Sequence, residues 1–146
     1  MKIVLQRVSE ANVVVDGETI GKINKGVLLL VGFGQENPSP DMSKAIDKLL
    51  NLRIFENQDG KLDLSITDIG GELLVVPQFT LLAKTHKGRR PDFGGAMAPD
   101  QATEMFDQFV DKLQQNTNLK VQTGQFGADM KVSLCNDGPL TLILDY

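Results

Sequence analysis

The run Val27-Leu28-Leu29-Leu30-Val31-Gly32-Phe33 carries no polar side chain and does not alternate, so it predicts a strand buried on both faces. Such a strand needs partners at its edges and cover on either side. Residues 2–8 and 12–15 predict a first and a second strand, and 18–23 a third, returned by a hairpin turn at Asp16-Gly17, where both residue types tolerate positive φ. Residues 53–56 predict a short strand and Asp59-Gly60 a turn, after which Leu62, Leu64 and Ile66 alternate with polar partners. Gly70-Gly71 breaks the chain before residues 72–82, an apolar strand interrupted by Pro77. Residues 130–135 and 140–144 read as two final strands flanking a turn at Asn136-Asp137-Gly138-Pro139.

Only two stretches have helical periodicity. Ser39-Pro40 predicts a helix start, with a serine cap and proline at the first helical position. Met42, Ala45, Ile46, Leu49 and Leu50 then share one face, as do Ala102, Met105, Phe106, Phe109, Val110 and Leu113 further on. Many strands with two helices and hairpin-like turns predict an α+β fold with largely antiparallel sheets. Parallel βαβ repeats are not expected, which argues against a doubly wound nucleotide-binding fold.

A chain of 146 residues suits a single domain, 1–146, whose core needs neither disulfide nor metal. Hydrophobic residues at 41% and charged residues at 23% are globular values and argue against disorder. The longest apolar stretch is far short of the roughly 20 residues of a membrane span. The first residues reach Gln6 and Arg7 too early for a signal peptide. A soluble, cytoplasmic protein that engages no membrane is expected. A net charge of −4 counts against wholesale nucleic-acid binding, yet Lys84, His86, Lys87, Arg89 and Arg90 crowd into one short stretch.

The residues able to do chemistry are few. A lone histidine, His86, in a cationic stretch is a poor triad member, and a lone cysteine, Cys135, in a strand pattern reads as a buried structural thiol. Proline within the apolar run 72–82 implies an edge, a bulge or a strand end. A strand that ends at Pro77-Gln78-Phe79-Thr80 can turn backbone N–H groups outward as an oxyanion hole, or be an ordinary terminus with satisfied side chains. The long loop 84–99, with Lys87, Arg89 and Arg90, can hold phosphates or simply be a solvated charge run.

Taken together the chain resembles the D-aminoacyl-tRNA deacylase family, also called D-tyrosyl-tRNA deacylases. The resemblance runs through Gln6-Arg7-Val8-Ser9, Asn51-Leu52-Arg53-Ile54-Phe55, Gly71-Glu72-Leu73-Leu74-Val75-Val76, Lys87-Gly88-Arg89-Arg90-Pro91, Gly127-Ala128-Asp129-Met130 and Asn136-Asp137-Gly138-Pro139. Of the family's two signatures, Asn-x-Gly-Pro-x-Thr is intact at Asn136, Gly138, Pro139 and Thr141. Ser-Gln-Phe-Thr departs at its first position, where Pro77 stands before Gln78, Phe79 and Thr80. The resemblance implies a homodimeric hydrolase that frees tRNA of D-amino acids, with glycyl-tRNA also cleaved and L-aminoacyl groups excluded. It implies active sites at the dimer interface and no cofactor or metal. Gln78, Phe79 and Thr80 are then the catalytic segment, binding the terminal adenosine and the ester carbonyl. Gly138 and Pro139, as a cis pair positioned by Arg7, reach across from the other subunit to screen the α-carbon. Lys87, Arg89 and Arg90 would meet the tRNA acceptor end. Since no base neighbours Thr80 in the sequence, its hydroxyl reads as a positioning group rather than a nucleophile. The competing class is an RNA-binding module without turnover.

Overall fold

The computed structural model describes residues 1–146. In chain order it contains β1 (Lys2–Val15), β2 (Glu18–Ile23), β3 (Gly26–Gly32), α1 (Met42–Asn51), β4 (Phe55–Glu56), β5 (Leu62–Leu64), β6 (Glu72–Pro77), a 3-10 turn (Phe79–Leu82), α2 (Pro99–Gln115), β7 (Val121–Thr123) and β8 (Lys131–Asp145). The main sheet runs β2-β1-β3-β6-β7, with β8 also paired to β1, and β4 and β5 form a separate ribbon. No helix is long and apolar enough to cross a membrane.

β3 is buried on both faces, as its unbroken apolar run requires. Val27, Leu29 and Val31 join a core that holds the apolar faces of α1 and α2, whereas Leu28 joins a second core on the opposite face. β1 serves both cores by changing face midway. Ile3 and Leu5 point to the helices, and Val8, Ala11 and Val13 to the other side. The switch coincides with an irregularity between Val8 and Glu10 in the pairing with β8, where one extra residue reverses the alternation. Residues 2–15 are therefore one bent strand, not the two expected at 2–8 and 12–15.

Four of the six strand pairings are antiparallel, in keeping with the expected class. The expectation of no parallel crossover does not hold. β3 pairs parallel to β6, and β6 parallel to β7, with α1 in the first connection and α2 in the second. Periodicity reports a helix without saying whether its flanking strands run the same way. Both helices feed the same core, so the sheet is not doubly wound. Helix α1 also starts later than Ser39-Pro40 suggests: Asp41 is its cap, its carboxylate accepting from the Lys44 N–H at 3.0 Å.

The sheet curls until its outer strands meet. A Cβ on Gly21 of β2 would lie 2.9 Å from the Thr123 carbonyl of β7, so only glycine admits the approach. Lys120 bridges the same seam, donating to the Lys22 carbonyl at 2.9 Å and to the Glu72 carboxylate at 3.1 Å. Glu72 also accepts from the Asn24 backbone N–H at 2.9 Å. That bond, with help from Lys120 and the Asn24 amide, holds the Glu72 carboxyl below its ordinary value. Its pKa is thus lower folded than unfolded, and the stability it contributes is present above about pH 4.5 and lost as pH falls through the folded value. Glu72→Gln should remove this part of the acid dependence, costing less than about 1 kcal/mol at neutral pH because the group is near the surface. Urea midpoints of the two proteins, measured from pH 7 to 3, should converge at the acid end.

Candidate active site

The end of β6 builds the first half of the site. Its parallel ladder with β3 runs to Pro77 opposite Val31, and the Gln78 N–H still donates to the Val31 carbonyl at 2.8 Å. Because successive residues of a strand face opposite edges, the missing N–H of Pro77 falls on the β7 side. The paired part of β7 stops at Thr123, opposite Val75, so no ladder bond is lost there. Beyond Gln78 the backbone closes into the 3-10 turn, and residues 72–82 are not the single strand expected from their apolar character.

This turn leaves donors free. The Leu81 N–H returns to the Gln78 carbonyl and the Ala83 N–H to the Thr80 carbonyl, whereas the N–H groups of Phe79 and Thr80, at the start of the turn, have no partner within it and no side-chain cap from Gln78. The Gln78 side-chain amide donates to the Thr80 hydroxyl, so the neighbour of that hydroxyl is a donor and not a base. Two glycines let the turn sit against the end of β3. A Cβ on Gly32 would lie 2.5 Å from the Gln78 carbonyl oxygen and 2.7 Å from Leu82 Cδ2, and one on Gly34 would lie 3.1 Å from Leu82 Cδ1.

Pro77, Gln78 and Phe79 open onto a cavity of about 440 Å³ closed by Met97, Phe126 and Met130. Residues 126–130 thus line the site. Only the family-like Gly127-Ala128-Asp129-Met130 segment pointed to them, since local pattern gives them no chemistry. Phe79 is 51% exposed and meets Phe93 edge to face at 5.3 Å. A larger cavity of about 710 Å³ between α2 and the end of β7 includes Asp107 and Asp111 and none of the expected site residues. Its carboxylates make it a poor seat for a polyanion.

The cationic stretch is a stub of hairpin. Lys84 and Asp92 exchange backbone hydrogen bonds at 2.8 and 2.9 Å, and the exposed tip between them carries His86, Lys87, Arg89 and Arg90. Lys87, Arg89 and Arg90 take part in none of the molecule's ion pairs. Phe93, next to the hairpin base, ties this tip to Phe79. Cys135 is exposed rather than buried, because β8 turns it outward with Ser133.

The second signature is not a hairpin turn. β8 is one strand whose two arms pair with β1 in the same sense, Thr141 opposite Gln6 and Asn136 opposite Val8. Two steps along β1 thus face five along β8, and the surplus loops out with Gly138-Pro139, a cis peptide, at its apex. Asn136 closes the loop: its carboxamide oxygen accepts from the Leu140 N–H at 2.9 Å and its amide donates to the Thr141 hydroxyl at 3.1 Å. Arg7 fixes it from behind. Its Nε donates to the Asp137 carbonyl at 2.9 Å and its Nη1 to the Ile54 carbonyl at 2.6 Å, with the Asp137 carboxylate 3.8 Å from Nε. Gly138 has φ 129°, and a Cβ there would lie 2.7 Å from Arg7 Nη2, so glycine is required twice over.

The chain does not bring its two signatures together. Gln78 lies near Gly32, whose partner on β1 is Lys2, while the loop sits behind Arg7, five residues further along. That is about 17 Å along the strands and, from β8 across β1 and β3 to β6, about 14 Å sideways.

Comparison with known proteins identifies a family and a shared fold. The family model described as D-Tyr-tRNA(Tyr) deacylase matches residues 4–145. A solved structure described as c-Myc DNA Unwinding Element Binding Protein is 39% identical, with a TM-score of 0.93 over 100% of this chain and 99% of that one. A second, described as a "probable eukaryotic D-amino acid tRNA deacylase", is 19% identical and shares the fold, with a TM-score of 0.83 over 99% of this chain and 98% of that one.

Arg7→Ala should leave two carbonyls without their charged donor and destabilise the protein by about 2–3 kcal/mol. Arg7→Lys should recover only part of this, because one ammonium cannot serve two diverging acceptors as a planar fork does. Urea unfolding of the three proteins checks both statements.

Proposed function

The chain belongs to the D-Tyr-tRNA(Tyr) deacylase family and is a hydrolase of the aminoacyl-tRNA ester bond; on that premise we propose that the Gln78–Thr80 turn holds the ester of a D-aminoacyl-tRNA for attack by water. The observation that carries this reading is the uncapped start of the 3-10 turn, where the N–H groups of Phe79 and Thr80 have no partner within the turn, beside the cavity lined by Gln78 and Phe79. An aminoacyl ester is already activated, so placement and oxyanion donors suffice, and one such donor contributes about 3–4 kcal/mol to the transition state. The Thr80 hydroxyl, held by the Gln78 amide, orients the substrate and is not the nucleophile. The ribose 2′-hydroxyl beside the ester helps to activate water, and no metal or cofactor is called for.

Each site takes its second half from another copy of the chain. The separation of the two signatures within one chain supports this, as does the long β8, whose outer face carries Ile143 at 68% exposure. An open strand edge with apolar side chains is a surface that a second copy covers. The backbone of Gly138-Pro139, anchored by Arg7, then stands against the substrate α-carbon. Its carbonyls can accept from the substrate amino group, while an L side chain would collide with them and a D side chain would project into open space. Glycine has no Cβ to exclude, so glycyl-tRNA is also a substrate. Lys87, Arg89 and Arg90 meet acceptor-end phosphates, and the cytoplasm, where aminoacyl-tRNA is used, is the compartment this activity suits.

A second reading, nucleic-acid binding without turnover, draws on the same cationic tip and on the 39% identical neighbour named for binding DNA. Turnover separates the two. Incubation with matched charged tRNAs should release D-tyrosine and glycine and leave L-tyrosyl-tRNA essentially intact; binding of all three without release would overturn the hydrolytic reading of this site. Resistance of glycyl-tRNA alone would replace exclusion by positive recognition of the D side chain. The Arg89→Ala, Arg90→Ala double variant should bind tRNA more weakly with a flatter salt dependence, its log–log slope reduced by about 1–2. An unchanged slope would remove the tip from the interface.

A further inference from the structure

We propose that Gly124 is a positioning residue for the substrate: by carrying no side chain it lets the Met130 thioether lie back from the cavity beside Gln78 and Phe79, and so sets the cavity's width. The inference rests on the reading that this cavity takes the aminoacyl end of tRNA.

Gly124 follows β7 directly, and its N–H donates to the Val75 carbonyl at 2.8 Å, continuing the ladder. It is not among the glycines with positive φ, so its backbone is one that any residue adopts. The demand for glycine comes from packing. A Cβ there would lie 2.7 Å from Met130 Sδ, 3.3 Å from Pro77 Cδ and 3.5 Å from Val76 Cγ1. Pro77 and Val76 are held in the paired strand β6, and Val76 is fully buried, so neither can yield. Met130 can, being unbranched and freely rotatable. To restore an ordinary contact its sulfur must move by about 1 Å. Its thioether accepts from the Gln125 N–H at 3.3 Å, and its open side is the cavity that it already lines. Any side chain at 124 therefore drives Met130 into the space the substrate needs, without touching the donors of the 3-10 turn.

The test is steady-state hydrolysis of D-tyrosyl-tRNA by wild type, Gly124→Ala, Met130→Ala and the double variant, with a thermal melt of each. Gly124→Ala should raise KM by about fivefold or more and change kcat less than about twofold. In the Met130→Ala background the same substitution should leave KM unchanged, because the side chain that transmits the effect is gone. An unaltered KM in Gly124→Ala, or an equal rise with Met130 truncated, would overturn the proposal. Should Gly124→Ala fail to fold, the double variant must fold, and its failure to do so would overturn the proposal as well. If wild type does not cleave D-tyrosyl-tRNA, the functional reading fails instead, and the melts alone decide whether Met130 transmits the methyl of residue 124.

Discussion

Arg7 is the one buried side chain that carries a charge, at 6% exposure. A guanidinium taken out of water is tolerated only where acceptors meet it. The acceptors here are backbone carbonyls from distant parts of the chain, Ile54 after α1 and Asp137 in the loop of β8. One side chain thus ties the helix layer, the central strand β1 and the outer strand β8 together. The loop it holds spans five steps of β8 where the partner strand takes two, and nothing in the ladder itself would fix such an excursion. Burying the charge makes the loop's position a condition of folding. Any loosening leaves either a carbonyl or a cation unsatisfied.

The other half of the site is organised by close approach rather than by charge. Gly32 and Gly34 let the 3-10 turn rest on β3, and Gly124 lets Met130 rest beside β6. These contacts bring backbone donors to the surface at the point where β6 loses its neighbour. A helix start would present the same kind of free N–H, but here the strand below is pinned by a parallel ladder up to Gln78. The N–H groups at the start of the turn are therefore held in place by the fold itself, the preorganisation on which the proposed oxyanion role draws.

Much of this was legible in the sequence. The two-faced burial of β3 followed from its unbroken apolar run, and the helix faces followed from their spacing. The two signature segments were recognisable as residues. Their shapes were not. Residues 136–139 have the composition of a hairpin turn, and only the tertiary pairing of both arms with β1 makes them a looped-out bulge. The gap left between strands at 2–8 and 12–15 holds no break, but a change of face within one strand. Cys135 reads as a buried structural thiol from its place in a strand pattern, yet it lies on the exposed face of β8 with Ser133. The wall formed by residues 126–130 carries no chemical signal, since its contribution is shape. In each case the missing information is which surface a segment meets, and that is settled by long-range contacts.

Pro77 shows how the two levels join. Within the sequence it is a departure from a serine-containing signature and an oddity in an apolar run. Within the fold it stands where β6 still pairs with β3 but has outlived β7, so that its missing donor falls on the side with no strand. A serine at this place would add a backbone N–H and a hydroxyl beside the cavity, while proline adds a ring that packs toward Gly124. In the proposed reading the donors left to the ester carbonyl are the N–H groups of Phe79 and Thr80, because the Gln78 amide already donates to the Thr80 hydroxyl. In the proposed mechanism, polarisation of the ester falls on the backbone of the turn, beside a rigid, apolar wall. On that proposal residue 77 serves the site by ending the strand there.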